Sequence, residues 1–167
     1  MRENVPLARP SMLPICSGMK YIELPPVWLA AFIALAWAQS TYYPMGLNFG
    51  TGIADLLGGI LIGGGLLLML MAVMEFHRHK TTIMPRSESS HFVQSGIYKR
   101  SRNPIYLGDA LILAGLILRW DAVLSLPLVP IFVWVIEKRF ITGEEKHLRL
   151  KYRAQYAGYL NRVRRWV

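Results

Sequence analysis

Cysteine is nearly absent: Cys16 is the only one in 167 residues, which excludes an internal disulfide and any metal site built from cysteines. Charge is scarce too, at 17% of the residues, and it is missing over two long stretches. Leu24 to Ala54 contains no Asp, Glu, Lys or Arg, and neither does Leu56 to Met74. Either run supplies the roughly 20 apolar residues that a spanning helix needs. A helix in a soluble core is seldom apolar on all sides for so long, so these runs argue against a soluble globular domain. Familiar catalytic signatures are lacking as well. There is no Gly-x-Ser-x-Gly, no Walker loop and no Rossmann glycine pattern. The histidines, His77, His79, His91 and His147, are too scattered to indicate a metal site. The lead before the first apolar run carries Arg2, Arg9 and Lys20 and has no small-residue cleavage pattern, so that run is read as a retained helix.

The formal charge is +9, and its placement matters more than its size. Basic residues gather from Arg78 to Arg102 and again from Lys138 to Arg165, whereas Ser40 to Gly50 has none. Basic loops stay on the cytoplasmic side. A basic tail beside membrane helices fits a skirt against anionic lipid headgroups better than a nucleic-acid surface. The first span opens at Pro25 and Pro26, where a missing N–H is least harmful, and runs to about Tyr43. The second covers roughly Gly52 to Phe76. Its Gly59 and Gly63 are four apart and share a helical face that a neighbouring helix can approach closely.

Residues 77–102 form a long polar loop, and long ordered loops tend to be functional. Asn103 as N-cap and Pro104 at the first helical position then open a third helix, which contains Asp109 and runs to Leu118. Intramembrane acids are functional candidates, but pairing with a nearby arginine or interfacial solvation also accounts for Asp109. After the polar break Arg119-Trp120-Asp121, a fourth run spans Ala122 to Ile136. At about 15 positions each, the last two runs reach roughly 22 Å, short of the roughly 30 Å hydrocarbon core, so they are expected to form a hairpin that crosses or enters the bilayer. In the tail, Leu148, Tyr152, Tyr156 and Tyr159 recur on one helical face. That face either lies on the membrane surface or closes over a pocket made by the long loop.

The expected fold is therefore an all-α integral membrane protein with about four transmembrane or membrane-entering helices plus a C-terminal amphipathic cytoplasmic helix. Residues 1–76 form the lead and two helices, and residues 77–167 the functional region with the hairpin 103–137. An even number of spans leaves both termini cytoplasmic, as in a bacterial inner-membrane protein. Polar groups collect where the helices meet the inner face: His91, Gln94, Tyr98, Arg102, Asn103, Tyr106, Asp109, Glu144 and Glu145. Glu144 and Glu145 are adjacent and do not share a helical face, so at most one is expected to point into a pocket while the other is solvated.

The stretch HFVQSGIYKRSRNPIYLG, residues 91–108, and the sequel EEKHLRLKYRAQYAGY, residues 144–159, resemble the isoprenylcysteine carboxyl methyltransferase family. They resemble more widely the membrane methyltransferases that also act on phospholipid head amines. The order of the motifs, their spacing and the intervening hairpin all match, over about residues 77–167. The resemblance implies S-adenosylmethionine as methyl donor and a lipophilic acceptor that enters from the bilayer, with no nucleic acid and no metal. It assigns His91, Phe92, Val93, Gly96 and Tyr98 to the donor pocket. It adds Asn103, Pro104, Ile105 and Tyr106 from the central motif, and one of Glu144 and Glu145. Arg102, Asn103 and Tyr106 are the implied catalytic residues, and Arg139 the implied substrate contact. Asn103 departs from the family, which usually has His there. An amide cannot titrate near neutral pH, so this position orients or hydrogen-bonds. Two other classes remain open at this point: a nicotinamide-dependent membrane reductase of sterol or polyprenyl substrates, and a non-enzymatic membrane scaffold.

Overall fold

The computed structural model describes residues 24–43, 51–79 and 92–167, and every regular element among them is helical. Helix α1 is Pro25–Tyr42, α2 is Thr51–Arg78, α3 is Pro104–Arg119, α4 is Leu128–Ile136 and α5 is Thr142–Leu160. The lead with Cys16, the expected turn 44–50 and residues 80–91 of the polar loop, His91 included, lie outside the described residues.

Helix α3 is the centre of the fold. One side packs along α2, and the other meets α1 and α4. The α2–α3 seam is built on glycines seven apart in each helix. A Cβ on Gly58 would lie 2.7 Å from the Gly115 carbonyl oxygen, and one on Gly65 would lie 2.7 Å from that of Gly108. The helices run antiparallel with their backbones in contact, an approach that only glycine permits. Gly59 and Gly63, the expected packing pair, face open space. The correction is one of helical phase: a four-residue spacing describes a face without saying which face the neighbour takes.

On the other side of α3, Phe32 and Ala36 of α1 pack with Leu113 and Ile117 of α3 and with Phe132 and Ile136 of α4. The Phe32 and Phe132 rings meet edge to face at 5.3 Å. At the far end of α1, Ser125 donates a 2.9 Å hydrogen bond to Gln39 and ties α1 to the turn before α4. Asp109 is buried on α3. Among the described residues its carboxylate has no arginine partner.

The fourth apolar run differs from the expected helix at both ends. A 3₁₀ turn, Val123–Ser125, occupies its start, and α4 begins only at Leu128, after Pro127. Pro130 falls in the first turn of α4, where its missing N–H has no intrahelical partner to lose. At the other end α4 does not stop. It passes through a π-helical turn, Glu137–Ile141, directly into α5. The Thr142 hydroxyl donates to the Glu137 carbonyl at 2.8 Å and fills part of the bond ladder that the wide turn opens. Helix α5 kinks at Arg153, whose φ of 33° departs from helical geometry.

Among the described residues, only α2 is both long and apolar enough to cross a membrane, and little of it is buried in the protein. Its large side chains away from α3, Leu56, Ile60, Leu67 and Leu70 among them, are exposed. The tyrosine face of α5 is not left free. Tyr156 and Tyr159 are buried, and Leu148 and Tyr152 pack against them together with Phe92 from the long loop.

Candidate functional site

Three segments converge at one end of α3: the stretch 92–104, the start of α5 and the tail beyond it. The first is held by α2. Near the end of α2, Glu75 is buried and accepts a hydrogen bond from the Ser95 hydroxyl. His79 Nε2 lies 2.7 Å from the same hydroxyl and 3.4 Å from the Glu75 carboxylate. One ring nitrogen faces both groups, so the acid does not orient the imidazole from its far side as in a hydrolytic triad. The three side chains form a clasp. Gly96 follows with φ +57°, and a Cβ there would meet the Glu75 carboxylate at 2.5 Å, so both the turn and the close approach require glycine.

The clasp sets the position of Tyr98. Its ring is buried with Val93 and Ala72, near Ile105, and its carbonyl accepts a 2.6 Å bond from the Tyr159 hydroxyl. Burial, then the neighbouring Tyr159, Glu144 and Glu75, push the Tyr98 phenol well above its ordinary range. Phe92 sits with Tyr152, Tyr156 and Tyr159 at centroid distances of 5.2, 5.4 and 5.1 Å. Loop and tail thus share an aromatic cluster.

At the opening of α3, Asn103 occupies the N-cap position but makes no capping bond with its side chain. Its amide donates instead to the carbonyl of Arg165 at 3.1 Å. Pro104, buried at the first helical position, has no N–H that needs a cap. The backbone N–H of Arg102 donates to the Arg164 carbonyl at 3.1 Å, so the tail lies directly against this turn. Arg102 Nη1 is 3.4 Å from Glu145, and its Nε is buried without a hydrogen-bond partner among the described residues.

Both members of the acidic pair face inward, against the expectation that one would be solvated. Tyr106 donates its hydroxyl to Glu144 at 2.8 Å. Glu145 is buried and receives a forked pair of bonds from Arg165, Nε at 3.1 Å and Nη2 at 2.7 Å. Arg165 Nη1 reaches Glu137 of the π turn at 2.5 Å. Burial raises the Glu145 carboxyl, but the Arg165 hydrogen bonds and the Arg102 and Arg165 charges outweigh it, so the group lies below its ordinary 4.5. Two adjacent helical residues, about 100° apart, reach two partners here because α3 flanks one side and the tail covers the other.

The structure therefore brings Tyr98, Arg102, Asn103, Tyr106, Glu144 and Glu145 to one place, with Val93 and Ile105 packed behind. Arg139 is exposed, and its guanidinium lies over the Trp28 ring of α1 at 4.9 Å. Sequence reasoning missed Glu75, Glu137 and Arg165. Nothing in a basic tail marks Arg165 apart from Arg162 or Arg164, and only the fold reveals its partners.

An acid–tyrosine pair, a half-buried arginine and an aromatic cluster thus meet at one end of the helical bundle. The chain matches the phospholipid methyltransferase family model over residues 53–155, which is 103 of its 167 residues, and it belongs to that family. No curated protein and no solved structure matches it. Family membership makes the chain an S-adenosylmethionine-dependent methyltransferase with a membrane-associated substrate.

Proposed function

We propose that the protein transfers a methyl group to a lipophilic acceptor in the bilayer, an isoprenylcysteine-like carboxylate or a related lipid. The donor is held between the 92–106 segment and the start of α5. The observation that carries this reading is the Tyr106–Glu144 pair, together with the neighbouring Glu145–Arg102 pair, whose Arg102 Nε is buried with no hydrogen-bond partner among the described residues. Glu145 is saturated by two guanidinium groups, so a third cation there would have to displace one. Glu144, held by the Tyr106 hydroxyl at the start of α5, is assigned to the donor's ammonium group. Arg102 orients Glu145 and offers its Nε toward the donor's carboxylate. Tyr98 and Phe92 supply faces for the adenine or the sulfonium.

The bound donor supplies an electrophilic methyl group. The residues of the chain align it and keep water away. Asn103 has no titratable proton to give and serves by holding the tail. Arg139, displayed over Trp28, meets an anionic group of the acceptor. Helices α1 to α4 cross or enter a bacterial inner membrane, and both termini and residues 77–102 lie in the cytoplasm. The exposed apolar side chains of α1, α2 and α4 support this arrangement. Neither a nicotinamide-dependent reductase nor a scaffold gains support from the family match.

The test is reconstitution in liposomes with labelled methyl donor and a membrane lipid extract, followed by identification of the labelled product. A labelled lipid is expected, and Arg139→Ala should raise the acceptor KM about tenfold, as for a lost charged contact. Absence of label in any lipid, with nicotinamide binding in place of donor binding, would overturn the reading. Cysteines introduced at 45–50 should react with an impermeant reagent from outside intact cells. Equal reaction in the tail would refute the topology.

A further inference from the structure

We infer that Arg165 is a positioning residue of the methyl-donor site, an inference that rests on the donor reading above. Arg165 lies ten residues beyond the region matched by the family model. It nevertheless touches three separate segments around the site. Its guanidinium spans Glu137 of the π turn and Glu145 of α5. Its carbonyl accepts from Asn103 at 3.1 Å and from Ser101 at 3.5 Å, at the turn that opens α3. One residue thus links the exit of α4, the acidic pair and the central motif.

The geometry says what this link does. Glu144 and Glu145 are consecutive, so whatever fixes Glu145 fixes the azimuth of Glu144. The wide turn 137–141 has the bond ladder most open to change, and it stands immediately before them. Arg165 bridges that turn from Glu137 to Glu145 and holds the rotation of α5 that directs Glu144 to Tyr106. A planar fork serves this purpose where a single ammonium group does not, because it engages two carboxylates at once. Arg165 acts through Glu145 and Glu144, and it does not itself touch the donor.

The experiment compares the full-length chain with Arg165→Ala and Arg165→Lys in detergent. It reads donor affinity by calorimetry, donor KM and kcat in the liposome assay, and unfolding temperature, with binding measured well below each variant's midpoint. Arg165→Ala should weaken donor binding about tenfold or more and raise the donor KM in step. The kcat at saturating donor should hold within about twofold, as for lost ground-state organisation. Arg165→Lys should recover part of the loss. In an Glu145→Gln background, Arg165→Ala should add little further loss, because both changes break the same link. If Arg165→Ala does not fold, Arg165→Lys decides, with a KM rise of several-fold expected. Wild-type donor affinity and KM in the folded variants, even with a lowered unfolding temperature, would overturn the positioning role. Failure of the wild-type chain to bind donor would instead overturn the donor reading, and this inference with it.

Discussion

Replacing Glu145 by glutamine is predicted to lower both stability and donor affinity, whereas replacing Glu144 by glutamine lowers chiefly donor affinity. The Glu145 side chain is 9% exposed and that of Arg102 13%, while Arg165 is 32% exposed. Glu145→Gln leaves both guanidinium groups facing a neutral amide. Removing one partner of a buried pair costs about 3–5 kcal/mol, and screening at the more exposed Arg165 reduces that to about 2–4 kcal/mol. In a chain of this size each kcal/mol moves the unfolding midpoint by about 2–4 °C, so a fall on the order of 10 °C follows. Glu144→Gln keeps an oxygen that accepts the Tyr106 hydroxyl, so its midpoint should fall less than that of Glu145→Gln. It loses the charge proposed for the donor's ammonium group, and donor affinity should drop about ten- to a hundredfold. Thermal unfolding in detergent and isothermal titration of the donor measure the two quantities on the same samples. The refuting result is the reverse pattern: full donor affinity in Glu144→Gln, together with lost affinity and an unchanged midpoint in Glu145→Gln. That outcome would make Glu145 the donor contact and Arg165 a group that yields its place when donor binds.

The glycine seam predicts that Gly65→Ala, whose Cβ would lie 2.7 Å from the Gly108 carbonyl, destabilises by about 1–3 kcal/mol. Gly63→Ala, with nothing within 4 Å, should be neutral or stabilising by up to about 1 kcal/mol; equal midpoints for the two variants would refute the seam. Asn103→Asp separates tethering from capping, since Asp is a good N-cap but cannot donate to the Arg165 carbonyl. Faster proteolysis of the tail in Asn103→Asp is expected, and wild-type protection would show that the side chain caps the helix after all. The depressed Glu145 carboxyl sets a pH dependence. Its contribution is complete above the ordinary 4.5 and is lost as the pH falls through the lower folded value. The unfolding midpoint of wild type should therefore drop more steeply below pH 4.5 than that of Glu145→Gln, and parallel curves would show that the pair contributes no such linkage.

Much of this arrangement was legible in the residues, and the parts that were not share a physical cause. Helices α2 and α3 fall close to their expected bounds because charge-free runs and an Asn-Pro start are local signals. The residues from Val93 to Tyr106 and the acidic pair, which the fold brings to one end of α3, were singled out by the family resemblance. The role of Asn103 could not, because an N-cap is inferred from the helix that follows, whereas its actual partner lies 62 residues away. Glu75 was hidden for the same reason. On sequence it is one acid at the end of an apolar run, and only the return of the loop sets Ser95 and Gly96 against it.

The orientation of the acidic pair shows why spacing alone misleads at a helix irregularity. Counting along an ideal helix from α4 assigns Glu144 and Glu145 a phase relative to the buried Phe132 and Ile136. The π turn adds an extra residue to one turn and rotates everything after it by about 100°. No feature of the segment EKRFI announces a wide turn; its side chains are ordinary helix formers, and Phe140 and Ile141 simply stay buried. The turn is held by contacts from elsewhere: Thr142 on the Glu137 carbonyl and Arg165 on the Glu137 carboxylate. The segment that brings both acids inward is thus contacted by a tail that no local reading connects to it, and the proposed donor site rests on a long-range ion pair as much as on its motif.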